Sequence, residues 1–131
     1  MRKRLILLAA AVTVATPALA ADALDIGAES VELYMYRHSR WDPVDCEGRD
    51  LDGERFVLCQ PWGSKDLGAL FLIRRKVGGV PVVYTVNGTA KQAVPETTIP
   101  GTHGYPVAVE PWLQQPSINI QITLRRMRAP R

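Results

Sequence analysis

The chain has 131 residues, 47% of them hydrophobic, with 16 Lys+Arg against 13 Asp+Glu. Three of the bases, Arg2, Lys3 and Arg4, open the chain, and the remainder balances 13 bases against 13 acids. That balance excludes nucleic-acid binding driven by overall charge, and the length predicts one domain with a modest core.

Met1-Arg2-Lys3-Arg4 followed by the apolar run Leu5–Ala15 reads as the n- and h-regions of a bacterial-type secretory signal peptide. The run is too short to span a membrane as a helix. Pro17 breaks it, and Ala18-Leu19-Ala20 supplies small residues at the −3 and −1 positions, so cleavage is expected after Ala20. Ala21-Asp22-Ala23 is a weaker second cleavage site. Residues 21–131 then form a single small domain in the periplasm or outside the cell.

Asp25–Arg40 predicts an amphipathic helix, with Glu29 and Glu32 toward its start and Arg37, His38 and Arg40 at its end, as the helix dipole favours. Asp25 is the expected N-cap. One face carries Ile26, Leu33, Tyr34, Arg37 and Trp41, and its neighbour carries Leu24, Ala28, Val31 and Met35. The alternation of Val31, Leu33 and Met35 also fits a strand. Asp42-Pro43 ends the element.

Trp41–Glu54 is rich in acids and turn formers and reads as a loop. Asp50-Leu51-Asp52-Gly53 invites comparison with a calcium loop. Aligned on Gly53, however, Gly48 falls at the first ligand position and Cys59 where the closing glutamate belongs, so a turn entering a strand is the better reading. Arg55–Gln60 is that strand. Cys46 and Cys59 are the only cysteines, and an even pair in an exported chain predicts one disulfide. Such a bridge closes a loop of about fourteen residues, worth about 3 kcal/mol. The C-x12-C spacing does not suit a redox or zinc pair. Trp62 follows in a turn and reads as a lid over the sheet edge, with a ligand platform as the alternative.

The organising stretch is Ala69–Val94. Val80–Val86 is rich in β-branched and aromatic residues and lies between Gly78-Gly79 and Asn87-Gly88, both suited to two-residue type I′ turns. The expectation is a three-stranded antiparallel meander. Arg74, Arg75 and Lys76 form a basic knot at the first hairpin, there to keep an edge soluble or to meet an anionic partner.

Pro95–Pro106 is a loop without periodicity that contains His103 and Tyr105. Val107–Glu110 reads as a short strand and Trp112 as a packing anchor. Ser117–Leu124 alternates Ile118, Ile120, Ile122 and Leu124 with polar residues, the pattern of a half-buried strand. Arg125, Arg126, Arg128 and Arg131 give a basic C-terminal tail, read as a frayed terminus or a contact for lipid or an acidic partner.

No nucleophile, zincin or phosphate-loop motif is present, and the chain has two histidines, His38 and His103. These residues predict an α+β fold: one N-terminal helix on a small, mainly antiparallel sheet of four to five strands, stapled by Cys46–Cys59. No cofactor, metal or catalytic residue is assigned. The expected function is a non-enzymatic, exported module that binds an envelope protein. Candidate contacts are Trp62, Arg74, Arg75, Lys76, His103, Tyr105, Arg125, Arg126 and Arg128. The alternatives are a small-ligand or envelope-surface binder using the cup between helix and sheet or the basic tail, and an enzyme with a site assembled around the histidines.

Overall fold

The computed structural model describes residues 22–64, 67–113 and 117–130. Residues 1–20, read from the sequence as a signal peptide, lie outside them. The fold is α+β, with the N-terminal helix packed on a mostly antiparallel sheet. In chain order the elements are α1 (Ala23–His38), β1 (Val44–Leu51), β2 (Glu54–Pro61), β3 (Ala69–Arg75), β4 (Pro81–Thr85), α2 (Gly88–Ala93), β5 (Thr98–Pro100), β6 (Pro106–Pro111) and α3 (Ile120–Arg128). The sheet has six strands, more than expected, in the order β1-β2-β3-β4-β6-β5. Its β4–β6 pair is parallel and its other pairs antiparallel.

The sheet is covered on both faces. On one, α1 and α2 enclose Val57, Cys59, Phe71, Ile73 and Val83. On the other, Met127 of α3 packs with Phe56, Leu58, Leu70, Leu72 and Tyr84. Double coverage explains why β3 and β4 read as continuous apolar runs: five successive residues of each are buried.

In α1 the cap is Asp22, not Asp25. The Asp22 carboxylate accepts the Leu24 N–H at 2.8 Å, and Arg37 and His38 occupy the basic last turn. The buried stripe steps through Ala23, Gly27, Val31 and Met35, flanked by Ile26 and Ser30. Leu33, expected on a packed face, is exposed.

Trp41–Glu54 is not a loop, because residues 44–51 form β1. Asp52 (φ 53°) and Gly53 (φ 81°) join β1 to β2 in a two-residue turn with both φ values positive, the type I′ pattern. Cys46 therefore lies on a strand, opposite Cys59 in the β1–β2 register, and the two are disulfide-bonded across a Cα–Cα distance of 4.0 Å. The β3–β4 hairpin forms as expected, but over three residues, Val77-Gly78-Gly79, closed by Lys76 N–H to Val80 O at 2.8 Å.

Two expected strands are helices. Asn87-Gly88 makes no hairpin turn: Asn87 caps α2, its side-chain oxygen accepting from Ala90 N–H at 2.9 Å and from Leu70 N–H at 3.1 Å. Its amide also donates to Gly68 O at 2.9 Å. The third strand of the meander is thereby replaced by α2, and β6 fills the place beside β4. Within Ser117–Leu124, Asn119 caps α3 by accepting Ile122 N–H at 3.0 Å. Arg125, Arg126 and Arg128 belong to that helix rather than to a frayed tail.

Candidate functional site

The C-terminal end of α1, the segment that leaves it, α2 and the loop after α2 enclose a cleft of about 370 Å³. Its walls include Tyr34, His38, Trp41, Leu67, Gln92 and Glu96. The helical period puts Tyr34 and His38 one turn apart, and their rings meet with centroids 4.6 Å apart at 40°. Trp41 follows where the chain leaves α1 for β1, and Tyr34 and Trp41 both lean on the core. Val94 ends α2, and the chain then carries Glu96 back to the Tyr34 hydroxyl, which donates to Glu96 Oε1. Burial, and then the Glu96 carboxylate, push the Tyr34 phenol up to about 12, so it stays a donor at neutral pH.

Exposed apolar surface borders this cleft. Leu67 is 44% exposed on its wall. Trp62 is 70% exposed, and its backbone N–H donates to Pro43 O at 3.1 Å, two residues along the chain from Trp41. Trp62 is thus not the packed lid expected of it.

The other candidate residues are spread around the molecule and mostly paired. In the basic knot, Arg74 pairs with Glu54 at 2.9 Å and lies 4.7 Å over the Trp112 ring, Arg75 pairs with Asp22 at 2.7 Å, and Lys76 pairs with Glu110. Trp112 is a packing anchor, edge-on to Tyr84 with centroids 5.1 Å apart. Arg126 clamps Asp52 with bonds of 2.5 and 3.2 Å, while Arg128 reaches Gln60 at 3.3 Å. Arg125 is exposed on α3. His103 and Tyr105 are exposed on the turn between β5 and β6. The histidines do not converge. Thr102, beside His103, donates its N–H to Ser30 Oγ at 3.1 Å, and Ser30 lies about 12 Å from His38 along the axis of α1. Among the described residues no group of His, Cys, Asp and Glu is placed to hold a metal ion.

A wider depression of about 650 Å³ between α1 and β1 is lined by Asp25, Glu29, Glu32, Asp50, Arg49 and Arg55. Its charges largely answer one another: Arg55 bonds Asp25 at 2.9 Å and Asp50 at 2.5 Å, and Arg49 bonds Glu47 at 2.9 Å and Arg126 O at 2.7 Å. This network ties α1, β1, β2 and α3 together. The aromatic cleft differs in keeping apolar walls and a half-buried tryptophan, Trp41, in the same lining as the Glu96 carboxylate.

Sequence reasoning missed the cleft. The sequence pattern places Tyr34 and Trp41 only on a helix face, and Glu96 carries no signal at 62 residues' remove from Tyr34. No protein-family model matches the chain, and neither curated proteins nor solved structures give a match.

Proposed function

We propose that this chain is an exported, non-enzymatic binding domain of the periplasm or extracellular space that engages another envelope protein through its aromatic end. The observation that carries this reading is the 370 Å³ cleft walled by Tyr34, Trp41 and the exposed Leu67, together with Trp62, 70% exposed and bonded through its backbone to Pro43, two residues beyond Trp41. Exposed aromatic surface beside a recess is the usual composition of an interface centre, where one anchor side chain fills a pocket.

Export is supported by the basic and apolar start of the sequence and by the Cys46–Cys59 disulfide, which is compatible with an oxidising compartment. The Asp22 cap also favours cleavage after Ala20. A cut after Ala23 would remove both the cap and the partner of Arg75. Among the described residues no helix is long and apolar enough to cross a membrane.

The test is capture from an extract of the source envelope by the oxidised chain, compared with Trp62→Ala and with Tyr105→Ala. Saturable capture of one protein, lost with Trp62→Ala and kept with Tyr105→Ala, is the expected result. Equal capture by both variants would move the interface elsewhere.

A further inference from the structure

We propose that the cleft receives an organic cation, the ammonium or guanidinium end of a lysine or arginine side chain of the protein partner, held between Glu96 and Trp41. This rests on the reading of the aromatic end as the interface.

Three features of negative character face the same space. The first is the Glu96 carboxylate. The Tyr34 hydroxyl donates to its Oε1, which restrains the carboxylate on the cleft wall. The second is the C-terminus of α1. The Ser39 N–H satisfies Met35 O at 3.0 Å, and Tyr34, His38 and Ser39 bring the end of α1, the negative end of its dipole, to the cleft wall. The third is the Trp41 ring, whose face attracts cations. The His38 and Tyr34 rings meet each other at a tilt, while Trp41, packed against the core on one side, is a further aromatic residue of the lining.

Size agrees with this occupant. A volume of about 370 Å³ admits one long side chain with its hydration and lies at the small end of ligand clefts. The apolar lining from Leu67, Ala93 and Pro95 suits the methylene stem of lysine or arginine. An anionic ligand would meet the Glu96 carboxylate and the wrong end of the helix dipole. Arg40, on the cleft wall and exposed to solvent, is a competing cation that can swing into water.

The probes are N-acetyl-lysine amide and N-acetyl-arginine amide, with N-acetyl-norleucine amide and N-acetyl-citrulline amide as neutral isosteres. Binding is followed by amide NMR shifts and by tryptophan fluorescence. The expected result is saturable shifts at Tyr34, Trp41 and Glu96, with the cationic probes binding at least tenfold more tightly than their isosteres. Glu96→Gln should abolish that preference while keeping the disulfide and the amide spectrum of the core. Equal binding of charged and neutral probes, or no shift at these residues, would overturn the inference. Failure of the interface itself looks different. If the cationic probes bind but no protein is captured in a Trp62-dependent way, the cleft is a site for a free amine and the partner is wrong. If capture depends on Trp62 while the probes stay silent, the interface stands and the cation falls.

Discussion

Gly27 of α1 and Ile73 of β3 approach so closely that a Cβ on residue 27 would lie 2.6 Å from the Ile73 Cγ2 and 3.2 Å from the Pro81 Cβ. In the sequence this glycine only weakens the helix, at a cost of about 1 kcal/mol against alanine. In the fold it lets α1 sit down on β3 and β4. Gly27→Ala should therefore destabilise by about 1–2 kcal/mol net, overpacking outweighing helix propensity. Gly88→Ala is the control. Gly88 starts α2 facing open space without a positive φ, so alanine there should stabilise by about 0.4–1 kcal/mol. Denaturant midpoints of the two variants should move in opposite directions.

The Asn87 side chain makes three hydrogen bonds, serving α2 and the start of β3 at once. Asn87→Ala should cost about 2–3 kcal/mol, the loss of a cap plus two stranded backbone groups. Asn87→Asp keeps the acceptor for Ala90 and Leu70 but sets a carboxylate against Gly68 O, so it should fall between wild type and alanine. Because α2 supplies Thr89, Gln92 and Ala93 to the cleft, binding of cationic probes should weaken in the same order.

The same residue shows where sequence pattern stops being informative. Asn-Gly suits a type I′ turn, and Asn is an equally good N-cap. The choice was made by Leu70 N–H and Gly68 O, which are distant in sequence. Ser117–Leu124 failed for a related reason. Its alternation is that of a strand, but Asn119 caps a helix and Met127, beyond the segment, supplies the deeply buried contact. The acidic composition of residues 41–54 hid β1, an edge strand whose charges are answered within its own hairpin and by α3 rather than marking a loop: Glu47 pairs with Arg49, Asp50 with Arg55 of β2, and Arg49 donates to Arg126 O. The N-terminal helix, the disulfide and the β2, β3 and β6 strands were legible because local periodicity and cysteine parity carry them. The cleft was not, since its parts come from α1, α2 and the loop after it.

The disulfide prediction is direct. Cys46 and Cys59 bridge the β1–β2 hairpin near its open end, next to Trp62 and the exit from Trp41. Reduction, or the double change Cys46→Ser and Cys59→Ser, should lower unfolding free energy by about 3 kcal/mol. The hairpin still has its Asp52-Gly53 turn and a full register, so the amide spectrum should remain dispersed. Guanidinium unfolding with and without reductant measures the difference.

Burial, with Glu29 beside it, pushes the Glu32 carboxyl up from its ordinary 4.5, and Arg55 opposes this only in part. The folded protein thus holds this proton to higher pH than the unfolded chain does. The proton's stabilising effect is complete well below 4.5 and is lost as pH rises through the raised value. At neutral pH the charged Glu32 is a net cost. Glu32→Gln should be the more stable protein at pH 7, by at least the ~0.2–0.5 kcal/mol of like-charge repulsion at this helical spacing. Thermal melts should converge as the pH is lowered past 4.5.

Tyr34 provides the corresponding test at high pH and bears on the cleft itself. Burial and the Glu96 carboxylate raise its phenol to about 12, from an ordinary value of 10. Below pH 10 both folded and unfolded chains keep the proton. Above it the unfolded chain ionises first, so the stability that Tyr34 contributes is lost as pH climbs from 10 to 12. The stability of wild type should therefore fall more steeply over that interval than that of Tyr34→Phe, and a late phenolate absorbance step should be missing from the variant. Phenylalanine also frees Glu96 Oε1, removing the bond that orients the carboxylate. Cationic probes should then bind Tyr34→Phe more weakly than wild type, but still more tightly than they bind Glu96→Gln. If Tyr34→Phe instead bound as wild type while retaining the late phenolate step, the tyrosine would be neither the high-pKa group nor the positioning residue of the site.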